Sequence, residues 1–194
     1  MAIQQNGYTD VPHLTYDDWR TYALTHGVNV DWSYGNQCWD ICALLWYQYG
    51  LRLITKPGGG VAYECWTVSR DVNARPPFIQ ITNLQDIKRG DCIVFNRNGS
   101  YYTGHIGFAD EDYNPNHFNR YGANVISTLG QNQGQGSSYG TPSNVVDLDV
   151  SNILGAFRNT KWETPTPTPT PTPDEEPSKG FNWVLYSRRI RKRK

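Results

Sequence analysis

From Thr164 to Pro173, threonine and proline alternate without a break, and this run confines where the chain can build a packed core. Proline donates no amide hydrogen and its ring fixes φ, so the segment supports neither helix nor sheet. It favours an extended polyproline II path. At about 3.1 Å per residue it forms a semi-rigid spacer of roughly 30 Å. The core must therefore come from residues 1–163, a length suited to one domain. We read residues 164–178 as the linker and 179–194 as a tail too short to own a core. That tail sets Phe181-Asn-Trp-Val-Leu-Tyr186 before Ser187-Arg-Arg-Ile-Arg-Lys-Arg-Lys194, an apolar group suited to docking on a partner, followed by basic charge.

The 18 basic and 18 acidic residues cancel, but unevenly along the chain. Residues 165–194 hold seven Lys and Arg against three Asp and Glu, a balance of +4, which leaves the remainder at −4. The body therefore lacks the charge of a nucleic-acid binder, and the tail alone carries any. No apolar run approaches the roughly 18 residues of a membrane span. Residues Met1–Tyr8 lack the basic and apolar regions of a secretory signal, so none is expected. Four cysteines, Cys38, Cys42, Cys65 and Cys92, are too few and too unevenly spaced for a disulfide framework. Cys38 and Cys42 share a helix face, yet no second close pair completes a zinc site. Cys42, Cys65 and Cys92 read as buried small hydrophobes.

Helical signals come first. Thr15 caps a helix with Asp17 and Asp18 in its first turn. A Gly/Asn-rich turn around Gly35 leads into a second helix from Cys38 to Tyr49, ended by Gly50. A third, weaker helix is expected over Tyr63–Asp71. Then the pattern changes to β-rich runs at Phe78–Thr82, Asp91–Asn96, His105–Ala109, Asn124–Leu129 and Val145–Leu148, split by Gly, Asn and Pro. Helices followed by strands predict an α+β fold, with N-terminal helices packed on an antiparallel sheet.

Three residues in this order carry chemistry. Cys38 begins a helix, where the positive end of the dipole favours a thiolate. His105 sits in the run Gly104-His-Ile-Gly107, and Asn132 follows in Leu129-Gly-Gln-Asn132. A thiol, an imidazole and an orienting amide are the parts of a cysteine hydrolase. The backbone N–H of Cys38 is a ready oxyanion donor, with the Gln37 side chain as helper. His13, His26 and His117 lie in polar or proline-containing loops and are expected to be chemically silent.

The same order of parts resembles the CHAP family, the cysteine- and histidine-dependent amidohydrolases and peptidases of bacterial and phage cell-wall lysis. The resemblance covers roughly Asp17 to Arg158. It rests on Asn36-Gln-Cys-Trp-Asp-Ile-Cys42 as nucleophile segment and Lys88-Arg-Gly-Asp-Cys-Ile-Val-Phe95 as the strand before the histidine. Gly104-His-Ile-Gly-Phe-Ala109 matches the histidine strand, Leu129-Gly-Gln-Asn132 the third-member strand, and Leu154-Gly-Ala-Phe-Arg158 the final strand. It implies a papain-like fold, with Cys38 attacking an amide, His105 moving protons and Asn132 holding the ring. Many members carry Glu two residues before that Asn, where this chain has Gly130. The resemblance also implies a calcium position at Asn29, Asp31 and Asp40, with Asn29 where an Asp is common. No cofactor is required for the reaction itself.

The expected function is hydrolysis of a peptidoglycan amide, by a muramoyl–L-alanine amidase or a cross-bridge endopeptidase. A phage endolysin or virion-associated lysin is implied, acting on the wall from the virion or from the host cytoplasm, with other virion proteins as partners of the tail. A second reading is a non-catalytic wall- or virion-binding protein on the same fold, which Gly130 favours. A third is a papain-like protease acting on protein.

Overall fold

Thr15 starts the first helix as its side chain predicts. In the computed structural model, which describes residues 11, 14–99, 101–134 and 140–162, Thr15 Oγ1 accepts the Asp18 amide at 3.1 Å. Helix α1 then runs Tyr16–Thr25 and buries Tyr16, Trp19 and Ala23, one face of a 3.6-residue period. Helix α2, Cys38–Gln48, is a central helix rather than a surface one, because every residue from Asp40 to Trp46 is buried. Gly50 ends it at φ +69. Its amide bonds to Tyr47 O, and that of Leu51 to Trp46 O, both at 3.0 Å. This closure uses the left-handed backbone that glycine tolerates.

The expected third helix is two single turns, α3 (Glu64–Thr67) and α4 (Arg70–Asn73). The amides of Val68 and Ser69 both turn back to Glu64 O, and Ser69 Oγ donates to Thr55 O at 2.8 Å. A serine hydroxyl that bonds elsewhere competes with continued helix.

Six strands follow: β1 (Phe78–Ile81), β2 (Cys92–Phe95), β3 (His105–Ala109), β4 (Val125–Gly130), β5 (Asn144–Asp149) and β6 (Ile153–Asn159). They form one sheet in the order β1-β6-β2-β3-β4-β5, antiparallel throughout. The fold is α+β. Alternation along β2 sends Cys92 and Val94 to the helices, where they meet Ile106, Phe108, Leu129 and Phe157. Ile93 and Phe95 face the other way, with Ala109, Ile126 and Ala156 under Tyr113, Leu148 and Ile153. Covering both faces makes β2 and β3 buried throughout, and each large apolar side chain so enclosed contributes about 1.5–3 kcal/mol. On the helix face, Trp46 stacks on Phe78 with centroids 3.8 Å apart, and its Nε1 donates to Asn73 O at 3.0 Å.

The chain separates into two units, Met1–Glu163 and Thr164–Lys194. The linker and basic tail read from the sequence lie outside the described residues. Among the described residues, no helix is long and apolar enough to cross a membrane. All four cysteines are free thiols, with Cys42, Cys65 and Cys92 buried.

Candidate active site

Cys38 is the first residue of α2, at the end of a loop that the helix itself holds. Asp40, at the third helical position, accepts the Gln37 amide on Oδ2 at 2.8 Å and the Val30 amide on Oδ1 at 2.9 Å. One buried carboxylate thus fixes both ends of the segment 30–37. Between them Trp32, Tyr34 and Gly35 take φ values of 60, 57 and 71, and Gln37 Nε2 donates to Tyr34 O at 2.5 Å. The tight path delivers Cys38 half-buried to the helix start. There the backbone N–H groups of Ile106, Trp39 and Cys38 itself all favour charge on its sulfur.

The Ile106 amide reaches that sulfur because the sheet opens beside it. Pairing between β3 and β4 is kept only at Phe108–Leu129 and Ala109–Thr128. His105, the residue before Ile106, opens β3 and is 1% exposed. Its ring lies under Tyr101, centroids 4.8 Å apart, and beside Phe95 at 6.0 Å. The structure therefore brings Cys38 and the His105–Ile106 backbone together from elements far apart in the chain.

The turn after β4 serves both residues through three consecutive amides. Gln131 accepts the Val28 amide at 2.7 Å and donates to Val28 O at 2.8 Å and Gln37 O at 3.0 Å. Asn132, at φ +52, donates from Nδ2 to Gln37 Oε1 at 2.8 Å. Gln133 places Oε1 on His105 Nε2 at 2.9 Å. The ring position expected of Asn132 is thus taken by its neighbour, because the left-handed backbone at Asn132 turns that side chain to the nucleophile loop. Sequence reasoning missed Gln133; a vacancy at Gly130 followed by a longer amide three residues on was the signal available.

Burial dominates the electrostatics. It pushes the Cys38 thiol up to about 11, against the lowering effect of the Ile106 amide. It pushes the His105 imidazole down to about 4, with the Gln133 hydrogen bond opposing. Burial thus leaves both the thiol and the imidazole neutral at rest, rather than the thiolate that the helix dipole alone suggests. A stability prediction follows from His105. The unfolded ring titrates near 6.5, so on acidification the unfolded chain takes up a proton that the folded chain refuses. The stability present above pH 6.5 is lost as pH falls toward 4, a loss of about 3 kcal/mol. Urea denaturation across this window should show a markedly shallower acid slope in His105→Ala than in wild type.

Two of the three residues implied for calcium, Asp31 and Asp40, hold backbone amides. Both Asp40 oxygens hold amides, as above, and Asp31 Oδ1 accepts the Ser33 amide at 2.8 Å. Burial pushes the Asp40 carboxyl up to about 7, with the neighbouring Asp31 adding to the rise. Asn29 brings no charge. Among the described residues, no three carboxylate, imidazole or thiol side chains are grouped to hold a metal.

No family model matches the chain, and no curated protein matches it. Solved structures do. The crystal structure of the wild-type endolysin LysIME-EF1 aligns with a TM-score of 0.56 at 21% identity, over 77% of this chain and 66% of that one. The crystal structure of Ly7917 aligns with a TM-score of 0.46 at 15% identity, over 78% and 63%. The chain thus spans just under two thirds of the length of these structures. Its helices and six-stranded antiparallel sheet are an endolysin-like α+β fold.

Proposed function

We propose that this chain is a CHAP-type cysteine hydrolase that cleaves an amide bond of bacterial peptidoglycan, as a phage lysin. The supporting observation is the meeting of the Cys38 sulfur with the amide of Ile106, the residue after a buried His105 whose Nε2 is hydrogen-bonded to Gln133. The endolysin-like fold supports the substrate class.

The imidazole takes the Cys38 proton as the sulfur attacks the amide carbonyl. The Cys38 backbone N–H at the helix start stabilises the oxyanion. Gln37 Nε2 spends one hydrogen on Tyr34 O and keeps its second for the same oxyanion. The imidazolium then protonates the leaving amine, and the thioester is cleared by water activated on the freed ring. Substrate binding that excludes water strengthens each of these dipoles. Asn132 acts in this scheme by steadying Gln37.

Purified Gram-positive peptidoglycan incubated with the protein is expected to gain free amino groups without gaining reducing sugar ends. Release of reducing ends alone, or cleavage of unfolded protein in place of peptidoglycan, contradicts the proposal. Because Asp31 and Asp40 hold backbone amides and Asn29 carries no charge, chelation with EDTA should change the rate by less than about twofold, since affinity follows ligand charge and rigidity. A tenfold loss restored by calcium would instead assign an ion to Asn29, Asp31 and Asp40.

A further inference from the structure

We propose that Gln133 is the positioning residue of His105 in this chain, seated in the space that Gly130 leaves, and that it fixes the imidazole with its hydrogen on Nε2 and its lone pair on Nδ1. The amide's orientation is determined by its other contacts. Gln133 Nε2 donates to Thr128 O at 2.7 Å and to Asn144 O at 2.8 Å. Both amide hydrogens are thus spent on carbonyls, which cannot donate in return. Oε1 must then be the atom that meets His105 Nε2 at 2.9 Å. An acceptor there requires the ring to donate, so the proton sits on Nε2 and Nδ1 is the basic nitrogen. Both side chains are 1% exposed, so water does not compete for this bond.

Gly130 is the other half of the arrangement. A Cβ built there lies 2.8 Å from Gln133 Oε1, 3.2 Å from its Cδ and 3.5 Å from His105 Nε2. Any side chain at 130 displaces the amide from the ring. Glycine at 130 and glutamine at 133 are therefore one device, in which a neutral amide three residues on replaces an acidic orienter. A carboxylate in that place favours imidazolium strongly, whereas the neutral amide oxygen orients the ring and favours imidazolium less.

The activity arm of the test rests on the hydrolase reading above; the spectroscopic arm does not. Nitrogen-15 NMR of the His105 side chain in the full chain near pH 7 should show one tautomer, protonated at Nε2. Gln133→Ala should show a mixture and lose about 10–100-fold in kcat with KM within twofold. Gly130→Ala keeps every atom of Gln133 and guards against simple unfolding. It should disturb the tautomer and lower kcat by about fivefold or more through displacement alone. Gly130→Glu added to Gln133→Ala should recover about tenfold and move the acid limb of the pH–rate profile upward by about one unit. A wild-type ring protonated at Nδ1, or an unchanged tautomer in both single variants, overturns the proposal. The Nε2 tautomer in a protein that cleaves no peptidoglycan upholds the positioning and removes the hydrolase reading instead.

Discussion

Cys38→Ala is expected to lower the rate of cell-wall clearing by at least about 10³-fold while leaving the melting temperature nearly unchanged. Alanine suits the first position of a helix, and the contacts that shape the loop are made by Gln37 and Asp40 rather than by the Cys38 side chain. The fold therefore has little reason to respond. The chemistry does, because the remaining thiols cannot substitute: Cys42, Cys65 and Cys92 are at most 1% exposed. Burial also pushes Cys42 and Cys65 well above the ordinary thiol range. Turbidity of purified walls and a thermal melt, run on the same preparations, check both halves of the expectation.

Asp40→Ala is expected to act oppositely, through the fold first. It removes the acceptor for two amides, Val30 N and Gln37 N. A buried donor left unsatisfied costs about 1–3 kcal/mol, so a loss of about 2–4 kcal/mol in urea denaturation is expected. Release of segment 30–37 should also spoil the delivery of Cys38 and reduce activity beyond the loss of folded protein. Asp31→Ala is the contrast. Asp31 accepts the Ser33 amide of its own exposed turn, and its removal should cost less than about 1 kcal/mol.

Much of the scaffold was legible because local chemistry decided it. Thr15 before an acidic first turn gave the cap of α1, and Gly50 gave the end of α2. The β-rich runs gave β1 to β5, to within a residue or two at their ends, while β6 was named only through the family resemblance of Leu154–Arg158. The break between α3 and α4 was not legible, since it depends on Ser69 bonding to Thr55, fourteen residues away. The same holds at the site. Cys38 and His105 stand out by their neighbours in the chain, but Gln131, Asn132 and Gln133 are three adjacent amides with three different tasks. Which one meets the ring is settled by the left-handed turn at Asn132 and by the carbonyls of Thr128 and Asn144. Neither is written in the local residue pattern. Gly130, read alone, suggested a weakened site; beside Gln133 it is the space that the orienting amide occupies.

The reaction proposed for Cys38 is cleavage of an amide of peptidoglycan. Mass spectrometry of the soluble fragments released from one batch of purified peptidoglycan, by wild type and by Cys38→Ala in parallel, tests it most directly. Wild type should release fragments in which one amide has gained a water, ending in a free amine and a free carboxylate, and the variant should release none. The same fragments from both proteins, or fragments cut only between sugars, would contradict the proposal.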